Sequence, residues 1–238
     1  MIPGVTSVLK TLDAPALDAW RVRVQVEGTA RAAYANPPDG ELIEDYVSRL
    51  VALAKEEFEH ERLANEAADV GKQVHALIEH AVKEQLGQET TAPEATDEAL
   101  FTFAGWREWA ESVNLEPLTA EARLHHPGLN YCGTADLVCL VNGAPTVLDW
   151  KISARLYDER RLQSAAYRKA LMDSGWPPLQ GAIVCLPRDG GEISMVPACA
   201  PGPELDATFN AFVSLLNVYR WQREVAKAAR QAAKEEAA

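Results

Sequence analysis

The stretch "TVLDWKIS", residues 146 to 153, sets an aspartate and a lysine into an otherwise apolar run. Asp149 and Lys151 are two positions apart, and in a β-strand that spacing sends both side chains to one face. A charge held beside a core is costly unless it is paired, binds a metal or takes part in chemistry. What flanks this run decides which of those applies.

Immediately upstream, "YCGTADLVCLV" (131–141) is apolar and alternating, and "LTAEARLHH" (118–126) alternates as well. Asn142-Gly143 between two apolar runs is a strong hairpin signal. The spacing predicts a three-stranded antiparallel meander over about 117–153. Strict alternation puts Cys132, Thr134, Asp136, Val138 and Leu140 on one face of the middle strand. Gly133, Ala135, Leu137, Cys139 and Val141 take the other. Val147, Asp149 and Lys151 share a face of the third strand. The hairpin can therefore bring Asp136 beside Asp149, with Lys151 next to them. Two adjacent carboxylates repel unless a proton or a cation lies between them. A hard divalent cation suits such a pair, because Mg²⁺ takes one or two carboxylates and completes its shell with water and phosphate. The plain alternative is a solvated cross-strand salt bridge from Asp136 or Asp149 to Lys151.

Beyond the meander, a helix is predicted over 158–173. A second hairpin follows, "GAIVCLP" and "EISMVPA" around Arg188-Asp189-Gly190-Gly191. A long helix runs from Glu204 to the end, and its last third, Ala-rich and polar, is expected to fray or project. Before the meander, residues 5–9 read as a short strand or a helix start. Glu41 to Ala64 is helical in pattern and strongly acidic, as a solvated face would be. In "AADVGKQVHALIEHAVKEQLG" (67–87), Val70, Val74, Ile78 and Val82 recur at helical spacing. Residues 89–97 read as a loop, with Thr96 or Asp97 capping a helix to about Val113. Phe101, Phe103, Trp106 and Trp109 are expected to pack that helix down.

The whole chain has 238 residues, 47% hydrophobic and 24% charged, with no flexible linker dividing it. One domain is expected: an N-terminal helical part (1–69), a core (70–200) and a C-terminal helix (201–238). No apolar run is long enough for a membrane span, and the start is a poor signal peptide. Cys132, Cys139, Cys185 and Cys199 show no C-x-x-C spacing. Cys139 and Cys185 read as buried free thiols, which suggests a reducing, cytoplasmic setting. A net charge of −12 taken alone disfavours a nucleic-acid partner, although a metal brings its own positive charge.

The ordered set Gly133-x-x-Asp136, Asp149-x-Lys151 and Gln163-x-x-x-Tyr167, with Gly71-x-x-x-His75 on an upstream helix, resembles the PD-(D/E)XK nuclease superfamily. Its RecB-like exonuclease branch, in its phage-type members, is the most similar. The resemblance runs over about residues 70–170, and the opening "GVTSVLKTLDAPALDAW" is also similar to phage-encoded members. It implies an α/β fold, a restriction-endonuclease-like mixed central sheet of about five strands flanked by helices. It implies a Mg²⁺- or Mn²⁺-dependent deoxyribonuclease, an exonuclease acting on duplex ends or single strands in recombination, repair or phage DNA processing. The host would be a bacterial or phage-infected cell.

By that resemblance Asp136, Asp149 and the main-chain carbonyl of Trp150 would hold the metal. Lys151 would position the attacking water. His75 would be a further ligand favouring Mn²⁺ alongside Mg²⁺. Glu121 would hold a second metal or a water. Gln163 and Tyr167 would orient the Lys151 strand or touch the nucleic-acid backbone. His75 lies four residues before Glu79, so a plain helix-surface bond between them is the alternative. Glu121 is equally readable as a solvent-facing strand residue. His125 and His126, adjacent and on opposite faces, read as structural. Relatives with an iron–sulfur cluster carry clustered C-terminal cysteines; here the cysteines stand apart, so no iron–sulfur cluster is expected. Arg155, Arg160, Arg161 and Arg168 around the Gln163 helix are expected to form a confined positive groove for DNA. A single-strand annealing or other recombination protein is the partner implied, and no membrane. The competing reading is a catalytically inert nuclease-like protein that binds DNA or a partner.

Overall fold

The computed structural model describes residues 2–12, 15–56, 59–152 and 158–236. In chain order the elements are α1 (Val5–Leu9), α2 (Pro15–Ala35), α3 (Ile43–Glu56), α4 (Glu59–Gln85), α5 (Asp97–Ser112), β1 (Leu115–His126), β2 (Tyr131–Val141) and β3 (Ala144–Lys151). Then follow α6 (Asp158–Asp173), β4 (Gln180–Cys185), β5 (Ser194–Pro197) and α7 (Pro203–Glu236). Residues 5–9 thus resolve as a helix. The acidic segment read as helical from Glu41 to Ala64 divides between α3 and α4. The chain clusters into two compact units, one of residues 1–12 with 73–238 and the other of residues 13–72.

In the larger unit the five strands form one mixed sheet in the order β1-β2-β3-β4-β5. The first two pairings and the last are antiparallel, while β3 and β4 are parallel. This is an α/β sheet flanked by helices, consistent with a restriction-endonuclease-like fold. The β2–β3 turn forms as its dipeptide requires: Asn142 and Gly143 have φ of 48° and 78°. Positive φ at both central residues defines a type I′ turn, whose twist matches that of the strands. The parallel β3–β4 pair needs a crossover, and α6 supplies it.

One face of α6 seals the main core. Ala166, Tyr167, Ala170 and Leu171 meet Val5 and Val8 of α1, Phe212 and Leu216 of α7, and Ala122, Leu124, Tyr131, Ala135, Val138 and Val147 of the sheet. Each fully buried Leu or Phe among them contributes about 1.5–3 kcal/mol. The closeness of α6 explains two glycines. A Cβ on Gly133 would lie 2.7 Å from the Tyr167 ring, and one on Gly181 2.3 Å from Ser164 Oγ. Thr96 caps α5 by accepting from the Ala99 N–H at 3.4 Å. Trp106 and Trp109 of α5 meet the Trp150 ring edge-on at 5.9 and 6.3 Å. Phe101, expected to pack inward, is instead exposed.

Arg168 also departs from expectation. It belongs to the interior, fully buried, rather than to a DNA-facing groove. Its Nε donates to the Leu179 carbonyl at 2.8 Å and its Nη1 to the Cys199 carbonyl at 3.0 Å. A buried guanidinium is tolerated because it ties the β4 approach and the post-β5 loop to α6. In the smaller unit, Tyr46 Oη donates to the Ala33 carbonyl at 3.3 Å and Arg49 pairs with Glu41 at 2.5 Å.

Replacing Arg168 with Leu strands two buried carbonyls. It should lower the unfolding free energy, read from urea denaturation, by about 2–4 kcal/mol.

Candidate active site

The sheet's pairing breaks where the charged residues gather. Between β1 and β2, Ala120 pairs with Leu137 and Ala122 with Ala135, while Glu121 and Asp136 between them make no pair. Glu121 sits at φ 47°, a conformation uncommon outside glycine and of the kind found next to functional sites. The β2–β3 ladder begins only at Leu137 with Leu148. One further step of that register would oppose Asp136 and Asp149, so both carboxylates lie where the strands part. Ala135 and Val138 both join the α6 core although three residues apart. The strict alternation expected along β2 therefore slips at Asp136.

Asp136 uses the gap. Its Oδ2 accepts the Trp150 backbone N–H at 2.9 Å, taking the place of a ladder carbonyl. Lys151 Nζ lies 2.7 Å from Asp149 Oδ2. That approach lacks hydrogen-bond alignment, so the buried Oδ2 has no aligned donor. His75 Nδ1 is 3.8 Å from Asp136 Oδ2. The hairpin and α4 thus bring together Asp136, Asp149, Lys151, His75 and the Trp150 main chain. The alternative bond from His75 to Glu79 is not formed; Glu79 pairs with Lys83 instead.

The electrostatics follow from this crowding. Burial, reinforced by Asp149, pushes the Asp136 carboxyl up to about 7, against the opposing pull of Lys151. Desolvation lowers the His75 pKa, and Lys151 adds to the effect, which favours the neutral, lone-pair-bearing ring. The two carboxylates share one ammonium, that of Lys151, and Asp149 has a buried oxygen with no aligned donor. Two carboxylates and a main-chain carbonyl are oxygen donors of the kind that Mg²⁺ or Mn²⁺ takes. Among the described residues, no three His, Cys, Asp or Glu side chains are disposed to hold a metal ion. A cation here would draw on the Trp150 carbonyl and on water for the rest of its shell.

The other residues singled out by sequence divide into two groups. Gln163 and Tyr167 share a helix face with Arg160 and form a relay. Arg160 Nη1 donates to Gln163 Oε1 at 3.3 Å, and Gln163 Nε2 donates to Tyr167 Oη at 2.9 Å. Gln163 and Tyr167 are both buried, so they support the site from beneath and are not open to a nucleic-acid backbone. Burial raises the Tyr167 phenol well above its ordinary value, which keeps it neutral. Arg161 turns to the opposite side, donating to the Ala198 carbonyl at 3.0 Å and lying 3.8 Å from Glu204. With Arg168 buried as well, the four-arginine groove is not assembled on this helix; Arg155 lies outside the described residues. His125 and His126 are structural: His125 bonds Asn130 at 3.1 Å, and buried His126 meets Asp173 at 3.2 Å and stacks on Phe209.

Glu121 is exposed at the rim. Partial desolvation and Glu79 push its carboxyl up while Lys83 opposes, and solvent screens part of that effect. Glu79 and Lys83 are therefore neighbours of the site that the motif did not include. They fall one and two helical turns after His75, so a face analysis of α4 would have found them.

No family model matches the chain, and no curated protein matches it. A solved structure of LHK-Exo in complex with dAMP is similar over 71% of this chain and 96% of its own, at 13% identity and a TM-score of 0.33. The site rests on its own geometry and not on that likeness.

The partly buried Asp136 carboxyl has a consequence for stability. Its folded pKa is raised above the ordinary carboxylate value, so the fold binds that proton more tightly than the unfolded chain does. The resulting destabilisation grows as pH rises from about 4 to 7 and is complete above that. Asp136→Asn keeps an acceptor for Trp150 and removes the charge. It should raise metal-free stability at pH 8 by on the order of 1–3 kcal/mol, and by less at pH 5, in thermal melts.

Proposed function

We propose that the protein is a divalent-metal-dependent DNA nuclease of the RecB-like kind, hydrolysing phosphodiester bonds at duplex ends or in single strands. The observation that carries this reading is the parting of β2 and β3 at Asp136 and Asp149. There two carboxylates that share one ammonium lie beside the His75 imidazole and the Trp150 main chain. When bound, a divalent cation would polarise a phosphoryl oxygen and make water more acidic.

The chain's own residues account for the remainder. Asp136 and Asp149 would hold the cation, with the Trp150 carbonyl and His75 completing the protein's share. Lys151 ends β3 and now lies against Asp149. Releasing Asp149 to a cation would free its ammonium to orient the attacking water and offset charge on the scissile phosphate. Gln163 and Tyr167 would hold the β2–β3 opening in shape, the Tyr167 ring lying against Gly133. Glu121, with Glu79 behind it, would bind a water or second cation at the rim. Cytoplasmic DNA processing beside a single-strand annealing or other recombination protein is the setting this reading favours.

Incubation of linear DNA with Mg²⁺ or Mn²⁺ tests the reading. Wild type should release nucleotides, and Lys151→Ala or Asp149→Asn should slow this at least about 100-fold. No release by wild type with either metal would leave the inert nuclease-like alternative standing. In calorimetry, His75→Ala should weaken Mn²⁺ binding by about tenfold and Mg²⁺ binding by less, because imidazole prefers the softer ion.

A further inference from the structure

The C-terminal helix changes character partway along one face. In α7, Leu205, Phe209, Phe212 and Leu216 follow one another in steps of three and four and pack inward. Continuing those steps gives Arg220, Arg223, Lys227, Arg230 and Lys234. The stripe that is apolar against the body becomes wholly cationic where the body ends. Every described residue from Trp221 to Glu235 is exposed.

The row begins anchored. Arg220 Nη2 donates to the Leu129 carbonyl and, at 3.3 Å, to the Asn130 carbonyl of the β1–β2 turn. Arg223 donates to Tyr219 Oη at 3.2 Å and lies over its ring at 5.6 Å. Beyond them, among the described residues, no carboxylate pairs with Lys227, Arg230 or Lys234, and Glu224 is the one acid between Arg220 and Lys234. A chain of net charge −12 gains nothing in solubility from such a row. Held along one continuous helix, it spans about 21 Å from Arg220 to Lys234, the length of about six base steps.

We propose that this basic face of α7 binds the phosphate backbone of duplex DNA. Duplex DNA fits because its charges are dense and follow one line, as the row of cations does. A lipid surface fits less well. The opposite face offers Trp221 and Val225 and then only alanines, little apolar area to enter a bilayer interface. The inference does not rest on nuclease activity, since an inert DNA-binding protein would use the same face.

Anisotropy of a short labelled duplex, titrated in EDTA over a range of salt, tests it with the full chain. The charge reversal Lys227→Glu, Arg230→Glu, Lys234→Glu should weaken binding at least about tenfold and reduce the log–log salt slope by about 3. The neutral set Lys227→Gln, Arg230→Gln, Lys234→Gln, which preserves helix propensity, should fall between it and wild type. The exchange Lys227→Arg, Arg230→Lys, Lys234→Arg should retain binding. Because EDTA withholds divalent cations, the titration reads this surface apart from any metal chemistry at the candidate active site. Unchanged affinity and slope in both the reversed and neutral sets would overturn the proposal. So would a loss seen only in sedimentation with phosphatidylserine vesicles, or only in self-association by gel filtration.

Discussion

Two carboxylates cannot both stay ionised at the edge of a core without positive charge between them. Asp136 and Asp149 are forced into that situation by the β2–β3 hairpin, whose register would set them opposite each other. The fold answers in three ways. The ladder stops one step short of the pair, Asp136 binds the Trp150 N–H, and Lys151 comes up against Asp149. None of these satisfies the pair completely: Asp136 is pushed toward neutrality and Asp149 keeps a buried oxygen with no aligned donor. The local structure is arranged around a charge that these side chains do not fully balance.

The scaffolding follows from that constraint. Parting β2 from β3 requires something to keep the opening in shape, and the Gln163–Tyr167 relay on α6 does so from below. The Tyr167 ring can lie there only because position 133 has no side chain. α6 is in turn fixed by Arg168, whose buried guanidinium bonds main-chain carbonyls from two other segments. On the far side of the sheet Trp150 is wedged against Trp106 and Trp109, which pins the backbone carbonyl one residue from each key side chain.

The chain separates its charges in space. Acidic groups crowd the opening in the sheet and the helices near it, while cations line one face of α7. A negatively charged protein can approach a polyanion if a confined positive surface makes the first contact. Arginines on α6 were the obvious sequence candidates for that surface, yet Arg161 and Arg168 are occupied with main-chain carbonyls. The row on α7 is instead solvent-facing and regularly spaced.

Much of this was legible without coordinates because it depends on near neighbours in sequence. The Asn142-Gly143 turn, the span of α6, the Thr96 cap and the convergence of Asp136, Asp149 and Lys151 all follow from short-range stereochemistry and strand periodicity. α2 was not legible, since it lacks a pronounced apolar stripe. Nor was the burial of Arg168, whose partners at Leu179 and Cys199 lie 11 and 31 residues away. The slip in alternation at Asp136 and the left-handed backbone of Glu121 depend on how three strands and α6 fit together. A sequence specifies which residues can meet, because local geometry has few options. Only the tertiary packing decides which of them are buried, satisfied or left short of a partner.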